Sequence, residues 1–396
     1  MSRRILITSF TFPPQKNGVS HVVEAHATGL ARLGYDITVA TGLESARVEA
    51  IEEGVKVRQF ATWGNGRYIH GGYGGDIRGY QEFVASFSGD LIICHCWQIW
   101  STDLAVEVFD RVRCPKVLVS HGVSARRLRK SLSGLLSWLE WKPYVSKMPT
   151  MVRKFDHVVL LAERSDSRAF YDRWLMDRIG YHKYSAIPNG VHLNRFAAAM
   201  GRVEEFRAKH GIREKQMLLY VANYDPQKNQ KMAIEAFIKA ALPEAMLVLV
   251  GSEINHYARS IQSLAHEAGA IARQVIFLEK QTIEDIAAAY CAADLFLCSS
   301  KWEIQPLMIL EAMASRKPFV CTDVGCVRDM PGGIIVRNLT EMVRAVRDLM
   351  ANEPRRHLLA KQGRAAVDER YTWEKVVQQY AAMIEKLCND RDTGQR

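Results

Sequence analysis

Apolar residues recur along this chain in two alternating rhythms. Short runs rich in β-branched residues are separated by longer stretches with helical spacing. In the first half RRILITSF, YDITVAT, VKVRQFA, DLIICHCW, KVLVSHG, HVVLLAE and YSAIPNG read as strands, and Gly18 to Leu33 reads as a helix. In the second half the strands are QMLLYVANY, AMLVLVGS, QVIFLEK, DLFLCSS, KPFVCTD and GGIIV, with helices at Lys231–Ala241, Ile283–Ala292 and Pro306–Ser315. The closing TWEKVVQQYAAMIEKL is one more amphipathic helix. Such βαβ alternation predicts an α/β fold of doubly wound parallel sheets with helices on both faces. A chain of 396 residues fits two such domains, with the seam after PNGVHLNRF, near residues 192–205. Ligands of open α/β sheets bind beyond the carboxyl ends of the strands. Two domains opposed by those edges make a central cleft, so the strand ends are where chemistry is expected.

Composition narrows the class. Hydrophobic residues make up 48% and charged residues 24%, as in an ordinary globular protein. No apolar run approaches the length of a membrane span. The apolar part of MSRRILITSF is shorter than a signal-peptide core and is cut off by Pro13-Pro14, so it reads as a first strand. Eight cysteines without a CxxC pair indicate reduced thiols in a cytosolic protein. Cys94-His95-Cys96 raises the question of a metal. Strand alternation sends both sulfurs to one face and His95 to the other, which favours a buried strand over zinc.

The net charge of +10 is concentrated. Between Arg111 and Lys154 eleven basic residues face one acidic residue, Glu140, so this segment carries the whole excess. Within it SARRLRKSLSGLLSWLEWK reads as a helix with Leu128, Leu132, Leu135, Leu136 and Leu139 on one face. Arg126, Arg127, Arg129 and Lys130 crowd its first turns, where cations oppose the helix dipole. Trp138 and Trp141 add rings suited to an interface. Two readings stand: a solvated basic face on a core helix, or a patch that docks on an anionic membrane or a phosphate-bearing acceptor. No zinc-finger or RNP-like motif accompanies the charge, so nucleic acid is not expected. The glycine-rich stretch Gly64–Tyr80 reads as a mobile loop, serving as a lid, an acceptor contact or plain slack.

Several strand ends carry candidate chemistry. FPPQKNGVSHVV places Gly18 at the start of a helix whose N–H groups suit an anion, without the GxGxxG of nicotinamide and flavin proteins. KVLVS ends at His121, which either touches substrate or satisfies a loop carbonyl. MLLYVA ends at Asn223, and Lys228 stands just before the next helix, a phosphate position. DLFLCSS runs into EIQPLMILEAM, with Glu303 in the loop, Pro306 at the helix start and Glu311 in the second turn. A carboxylate beside Ile309, Leu310 and Met313 needs hydroxyl or cation partners if it turns inward.

KWEIQPLMILEAMASRKPFVCTDVG resembles the Glu-x7-Glu block of retaining family 4 glycosyltransferases. IPNGVHLNRF, VANYDPQKN, ITSFTFPPQKNGVSHVV and the closing TWEKVVQQY resemble further segments of that family, so the likeness runs through nearly the whole chain. It implies a GT-B fold of two Rossmann-like domains facing a central cleft. Residues 1–195 would form the acceptor domain and 196–370 the nucleotide-sugar domain, with helix 371–390 crossing back to the first. By the same resemblance Glu311 binds the ribose, Glu303 contacts the donor sugar on its reacting face, and Lys228 binds the diphosphate. His121 approaches the donor sugar, Gly18 lets backbone come close to phosphate, and Asn223, Gln305 and Leu307 line the donor site. With no Asp-x-Asp motif outside the terminal Asp390 and Asp392, neither metal nor cofactor is expected.

The implied reaction is transfer of a hexose, with retention, from a nucleotide-sugar to a cell-envelope glycan such as lipopolysaccharide or to a lipid-linked saccharide. Its expected setting is the cytoplasm, peripheral on the inner face of the membrane. Two departures stand out: Asn223 replaces the family's phosphate-binding arginine, and Ile304, Gln305 and Pro306 replace glycines. They leave room for a nucleotide-sugar epimerase or hydrolase, or for a catalytically silent GT-B partner subunit.

Overall fold

A computed structural model describes residues 2–15, 17–47, 54–67, 71–123, 132–164, 170–267 and 269–393. The chain divides into two compact units, Met1–Asn189 with Trp373–Arg396, and Gly190–Thr372. The first contains β1 (Arg4–Thr8), β2 (Asp36–Gly42), β3 (Val55–Phe60), β4 (Thr62–Asn65), β5 (Gly72–Gly75), β6 (Leu91–His95), β7 (Lys116–Val119), β8 (His157–Leu160) and β9 (Tyr184–Ala186). Seven of these form a parallel sheet in the order β3-β2-β1-β6-β7-β8-β9. The second unit contains β10 (Gln216–Val221), β11 (Ala245–Gly251), β12 (Val275–Glu279), β13 (Leu295–Cys298), β14 (Phe319–Thr322) and β15 (Gly333–Val336). They form a parallel sheet ordered β12-β11-β10-β13-β14-β15. Both sheets therefore run outward from a switch point, between β1 and β6 in one and between β10 and β13 in the other.

The central strands β6 and β13 are buried at every position, as parallel strands covered on both faces must be. The closing helix, Trp373–Asp392, belongs to the first unit and buries Trp373, Val376, Val377, Tyr380, Ile384 and Cys388 along one stripe. It lies close against the helix Gly18–Arg32: a Cβ on Gly29 would stand 2.5 Å from a methyl of Val377. Glu385 fixes its far end by accepting from Arg3 at 2.9 Å and from the Tyr35 hydroxyl at 2.8 Å.

Three expectations are corrected. Within the glycine-rich stretch, the described residues form an antiparallel hairpin of β4 and β5 followed by the helix Ile77–Ala85. The glycines serve conformation rather than mobility: Gly64, Gly72 and Gly75 take φ of +115°, +116° and +85°, and a Cβ on Gly64 would strike the Gly72 carbonyl. The strand alternation expected through Cys96 stops at His95, because Cys96 turns left-handed with φ of 71°.

The helix Leu132–Val152 buries the face that carries Trp141, a ring expected at an interface, and leaves the leucine face open. Leu135, Leu136 and Leu139 are 45%, 59% and 47% exposed, while Trp141, Tyr144, Met148 and Val152 join the core. At roughly 100° per residue those two sets lie on opposite sides of the helix. Among the described residues, no helix is long and apolar enough to cross a membrane.

Candidate functional site

In the second unit the residues of interest gather at the switch between β10 and β13. The turn after β10 is tied to the turn after β13 by a set of short bonds. Lys301 N–H donates to the Gln227 carbonyl at 2.8 Å, and the Ser299 hydroxyl donates to the Asn229 carbonyl at 2.7 Å. The buried Tyr220 hydroxyl donates to the Lys228 carbonyl. This stitching brings Lys228 Nζ to 2.7 Å from Glu303 Oε1, with the two side chains 23% and 12% exposed. On the other side of Glu303, Cys326 N–H donates to the Ile304 carbonyl at 2.8 Å. Gly325, at φ of +52°, lets these loops touch, since a Cβ there would collide with that same carbonyl.

The helix Leu307–Ala314 begins at Pro306, and no side chain caps it. Its N-terminal turn thus offers backbone N–H groups and a partial positive charge directly after the Lys228–Glu303 pair. Ile304 and Gln305 are buried beneath the loop. Glu311, half-buried in the second turn, has the hydroxyl partner its inward position requires: Tyr290. Burial first, and the Glu311 carboxylate second, hold the Tyr290 hydroxyl protonated far above the usual phenol range. Asn223 is exposed, and its carbonyl accepts from Gln230 at 2.9 Å. Tyr220, Tyr290 and Gly325 act here without having been singled out in the sequence, because a tyrosine in an apolar run reads as core and a lone glycine as a turn.

At the matching edge of the first unit the polar groups are rings. His121 follows β7, and its Nε2 lies 3.1 Å from Nδ1 of His95 at the end of β6. His95 in turn packs on His26, with ring centroids 5.3 Å apart, and Tyr380 of the closing helix covers His26 at 4.1 Å. Burial pushes all three histidines down, His26 to about 3 and His121 to about 4, with neighbouring histidines adding to the effect on His26 and His95. Ser120 anchors the preceding position by donating to the buried Asp172 and accepting from Trp97 Nε1 at 3.0 Å. Gly18 is the first residue of its helix, where the Asn17 side chain already accepts the Ser20 N–H.

The basic patch is reached only in part. Arg126, Arg127, Arg129 and Lys130 lie outside the described residues. Trp141 is corrected from an interface ring to a core ring, 7% exposed and edge-on to Tyr144, because the helix turns that face inward. Trp138 is half-buried, with the Lys142 ammonium 5.6 Å from its ring. Nearby, Arg67, Tyr73, Asp103, Tyr144 and Lys147 help line a pocket of about 320 Å³. Asp103 is buried there and accepts from Tyr73 and Tyr144 at 2.6 Å each. Desolvation raises its carboxyl to about 7 in spite of those bonds. Among the described residues, no group of three or more His, Cys, Asp or Glu is placed to hold a metal ion.

Comparison with known proteins fits this geometry. The sequence model of Glycosyltransferase Family 4 matches residues 16–195, and that of Glycosyl transferases group 1 matches residues 202–366. Spore coat protein SA of Bacillus subtilis is 26% identical over 201 residues, 46% of this chain and 52% of its own length. A GDP-mannose-dependent alpha-(1-6)-phosphatidylinositol monomannoside mannosyltransferase of Mycolicibacterium smegmatis is 26% identical over 224 residues, 53% of this chain and 57% of its own. The chain thus spans about half the length of these curated relatives. Among solved structures, Anabaena HepE in complex with UDP and glucose superposes with a TM-score of 0.74 at 17% identity, covering 97% of this chain and 100% of the other. Two Rossmann-like parallel sheets and two adjoining family matches place the chain among GT-B glycosyltransferases of the group 1/family 4 type.

Proposed function

We propose that this protein transfers a hexose from a nucleotide-sugar to a cell-envelope glycan or lipid-linked saccharide, with retention at the anomeric carbon. The observation that carries the reading is the second unit's switch-point edge. There an ammonium, two carboxylates and an uncapped helix start follow one another within Lys228, Glu303, Leu307 and Glu311. Nucleotide-sugars present those same demands in order: a diphosphate, a reacting sugar and a ribose.

In the reaction the acceptor hydroxyl oxygen bonds to the anomeric carbon as the bond from that carbon to phosphate oxygen breaks. The electron pair leaves with the phosphate, which also takes the hydroxyl proton. Positive charge grows on the sugar and negative charge on the diphosphate. Lys228 and the N–H groups at Leu307 face the growing negative charge. Glu303 faces the sugar, and its bond to Lys228 passes to the incoming phosphate as the donor seats. Glu311 accepts from the ribose hydroxyls while Tyr290 holds its carboxylate in place. His121 is assigned to the donor sugar and Gly18 to the phosphates. No protein nucleophile is needed, since the acceptor attacks on the leaving-group face, and the chain's own cations fill the role a metal would otherwise take.

The acceptor is assigned to the first unit. Its pocket of about 320 Å³ mixes the Tyr73 and Tyr144 rings with Arg67, Lys147 and Asp103, a wall suited to a saccharide bearing phosphate. The exposed Leu135, Leu136 and Leu139 beside the basic segment suit an anionic membrane surface. HepE is bound to UDP and glucose, and the Mycolicibacterium relative acts on a phosphatidylinositol mannoside, which supports a nucleotide-sugar donor and a membrane-borne acceptor.

The test is a thermal-shift panel of UDP-, GDP-, ADP- and dTDP-sugars with NAD as control and Glu311→Ala alongside. At about 100 times the dissociation constant a ligand stabilises by roughly 2.7 kcal/mol, an easily read shift. A shift with one nucleotide class, lost in the variant, supports the reading. Silence across the panel overturns it in favour of a silent partner subunit.

A further inference from the structure

The histidine chain of the first unit has a direction. His95 is fully buried, and its Nε2 has no hydrogen-bond partner among the described residues. The ring beyond it is His26, also buried, whose two nitrogens lack partners in the same sense. Trp373 and Tyr380 of the closing helix close over His26 at ring distances of 5.4 and 4.1 Å, and the buried Tyr380 hydroxyl makes no hydrogen bond to either ring. The near side is different. His121 is only half-buried, and its Nε2 is engaged with His95, so Nδ1 is the ring nitrogen left for a ligand.

A bond between two neutral imidazoles has two possible senses. If His121 carries its proton on Nε2 and donates it, His95 must carry its own on Nε2, where a buried N–H has nothing to receive it. If His95 carries its proton on Nδ1 and donates, the bare nitrogen left in the dry interior is an acceptor, and the second N–H of the pair sits on His121 Nδ1. Orphaned buried N–H groups are the rarer and costlier defect, so the second arrangement is the stable one.

We propose that His95 is a positioning residue that locks His121 with its proton on Nδ1, so that His121 presents an N–H donor, and not a base, to an oxygen of the bound ligand. The ligand identity rests on the nucleotide-sugar reading: the oxygen is a donor-sugar hydroxyl or a phosphate oxygen. The burial that keeps all three rings neutral agrees with this, because an imidazolium would erase the distinction between the two nitrogens. His26 packs against His95 and Tyr380 against His26, which makes the closing helix part of the device.

The test is long-range proton–nitrogen NMR on histidine-labelled full-length protein, with His121 assigned through His121→Gln. The expected wild-type spectrum shows His121 and His95 both protonated on Nδ1. In His95→Phe the His121 signal moves toward the Nε2–H form. In His95→Asn, whose amide N–H stands near the place of the lost Nδ1–H, it stays. Turnover follows the same order: His95→Phe loses roughly tenfold to a hundredfold in kcat with little change in KM for the donor, and His95→Asn recovers most of it. A wild-type His121 protonated on Nε2, or an Nδ1–H form that persists in His95→Phe, overturns the proposal. The wild-type spectrum decides even if His95→Phe fails to fold. Because it needs no substrate, the expected tautomer with no turnover on any nucleotide-sugar supports the lock and sinks only the donor assignment.

Discussion

At the edge of the second sheet an ammonium and a carboxylate meet at 2.7 Å, both partly open to solvent. At the edge of the first, His26 and His95 are closed off from water, and His121 is half closed. The two sheets have the same outward strand order from their switch points, so topology is not what separates them. The difference lies in which residues follow the strands. Glu303 and Lys228 stand on loops stitched across the sheet edge, where water reaches them. His95 ends a fully buried strand, and His26 faces a second helix. One edge is built to meet charge, the other to offer fixed neutral dipoles. Growing negative charge on a leaving phosphate suits the first kind of edge, and neutral hydroxyls suit the second.

If that division holds, the largest effect belongs to Lys228→Ala. Turnover should fall by about 10²–10³-fold with the fold intact, the loss typical of removing one preorganised group that faces developing charge. His121→Ala should cost less in a side-by-side rate measurement. A larger loss from His121→Ala than from Lys228→Ala breaks the comparison, since the principal electrostatic work would then sit on the neutral edge. Glu311→Ala comes next. Losing hydrogen bonds to a charged group is worth about 1.5–3 kcal/mol, so donor affinity by calorimetric titration should drop by roughly ten- to a hundredfold. Glu311→Gln keeps an acceptor for the ribose and for Tyr290 and should lose less.

The two units should also part company in acid. Burial lowers His26 to about 3, His121 and His157 to about 4, and His95 well below the usual imidazole range. An unfolded histidine titrates at about 6.5. Between those values the unfolded chain binds more protons, so these groups stabilise the first unit fully above about pH 6.5 and progressively less as pH falls toward 4. Asp103, raised to about 7, and the buried Asp172, also raised by desolvation, work the other way: their protonated forms favour folding in acid, fully below the ordinary carboxyl range, and for Asp103 that contribution is gone once pH has risen through 7. Four histidines against these two carboxyls leave a net loss in acid. Hydrogen exchange at pH 5 and 7.5 should show the first unit loosening more than the second, and His26→Phe should flatten that difference. Equal loosening of both units would refute it.

Much of this was legible beforehand. All the strands named from hydrophobic runs are present, most plainly β6 and β13, because a parallel strand buried on both faces leaves a continuous apolar signal that little else imitates. Lys228 and Glu303 could be named because charged residues just beyond such strands have few structural reasons to be there. Their meeting at 2.7 Å could not be foreseen, since it depends on how two loops 75 positions apart are tied. The histidine chain was hidden for a related reason. His26, His95 and His121 lie on a helix, a strand and a loop far apart in the chain, and of the three only His95, in a Cys-His-Cys run, and His121, past a strand end, stand out in the sequence. The helix Leu132–Val152 was ambiguous in a different way: it carries apolar residues on two faces, and periodicity alone does not say which of them packs.

The open leucine face carries the smallest expected effect and the finest test of the first unit's outer surface. Leu136 is 59% exposed on a face whose neighbours Leu135 and Leu139 are also open, in a segment that holds the chain's net positive charge. Leu136→Asp removes no packing, so its effect on stability should stay within about 0.5 kcal/mol. If the face inserts at a lipid surface, the same change forfeits about 1.5 kcal/mol of leucine burial, or roughly tenfold in partition onto anionic vesicles at low salt. Trp141→Ala is the informative control, because it acts on the buried face: it should lower the melting temperature while leaving vesicle partition of the folded fraction unchanged. An unchanged partition for Leu136→Asp alongside strong binding by wild type would assign the attraction to the basic residues alone. A loss of binding by Trp141→Ala in folded protein would return that ring to the surface and reverse the assignment of the two faces.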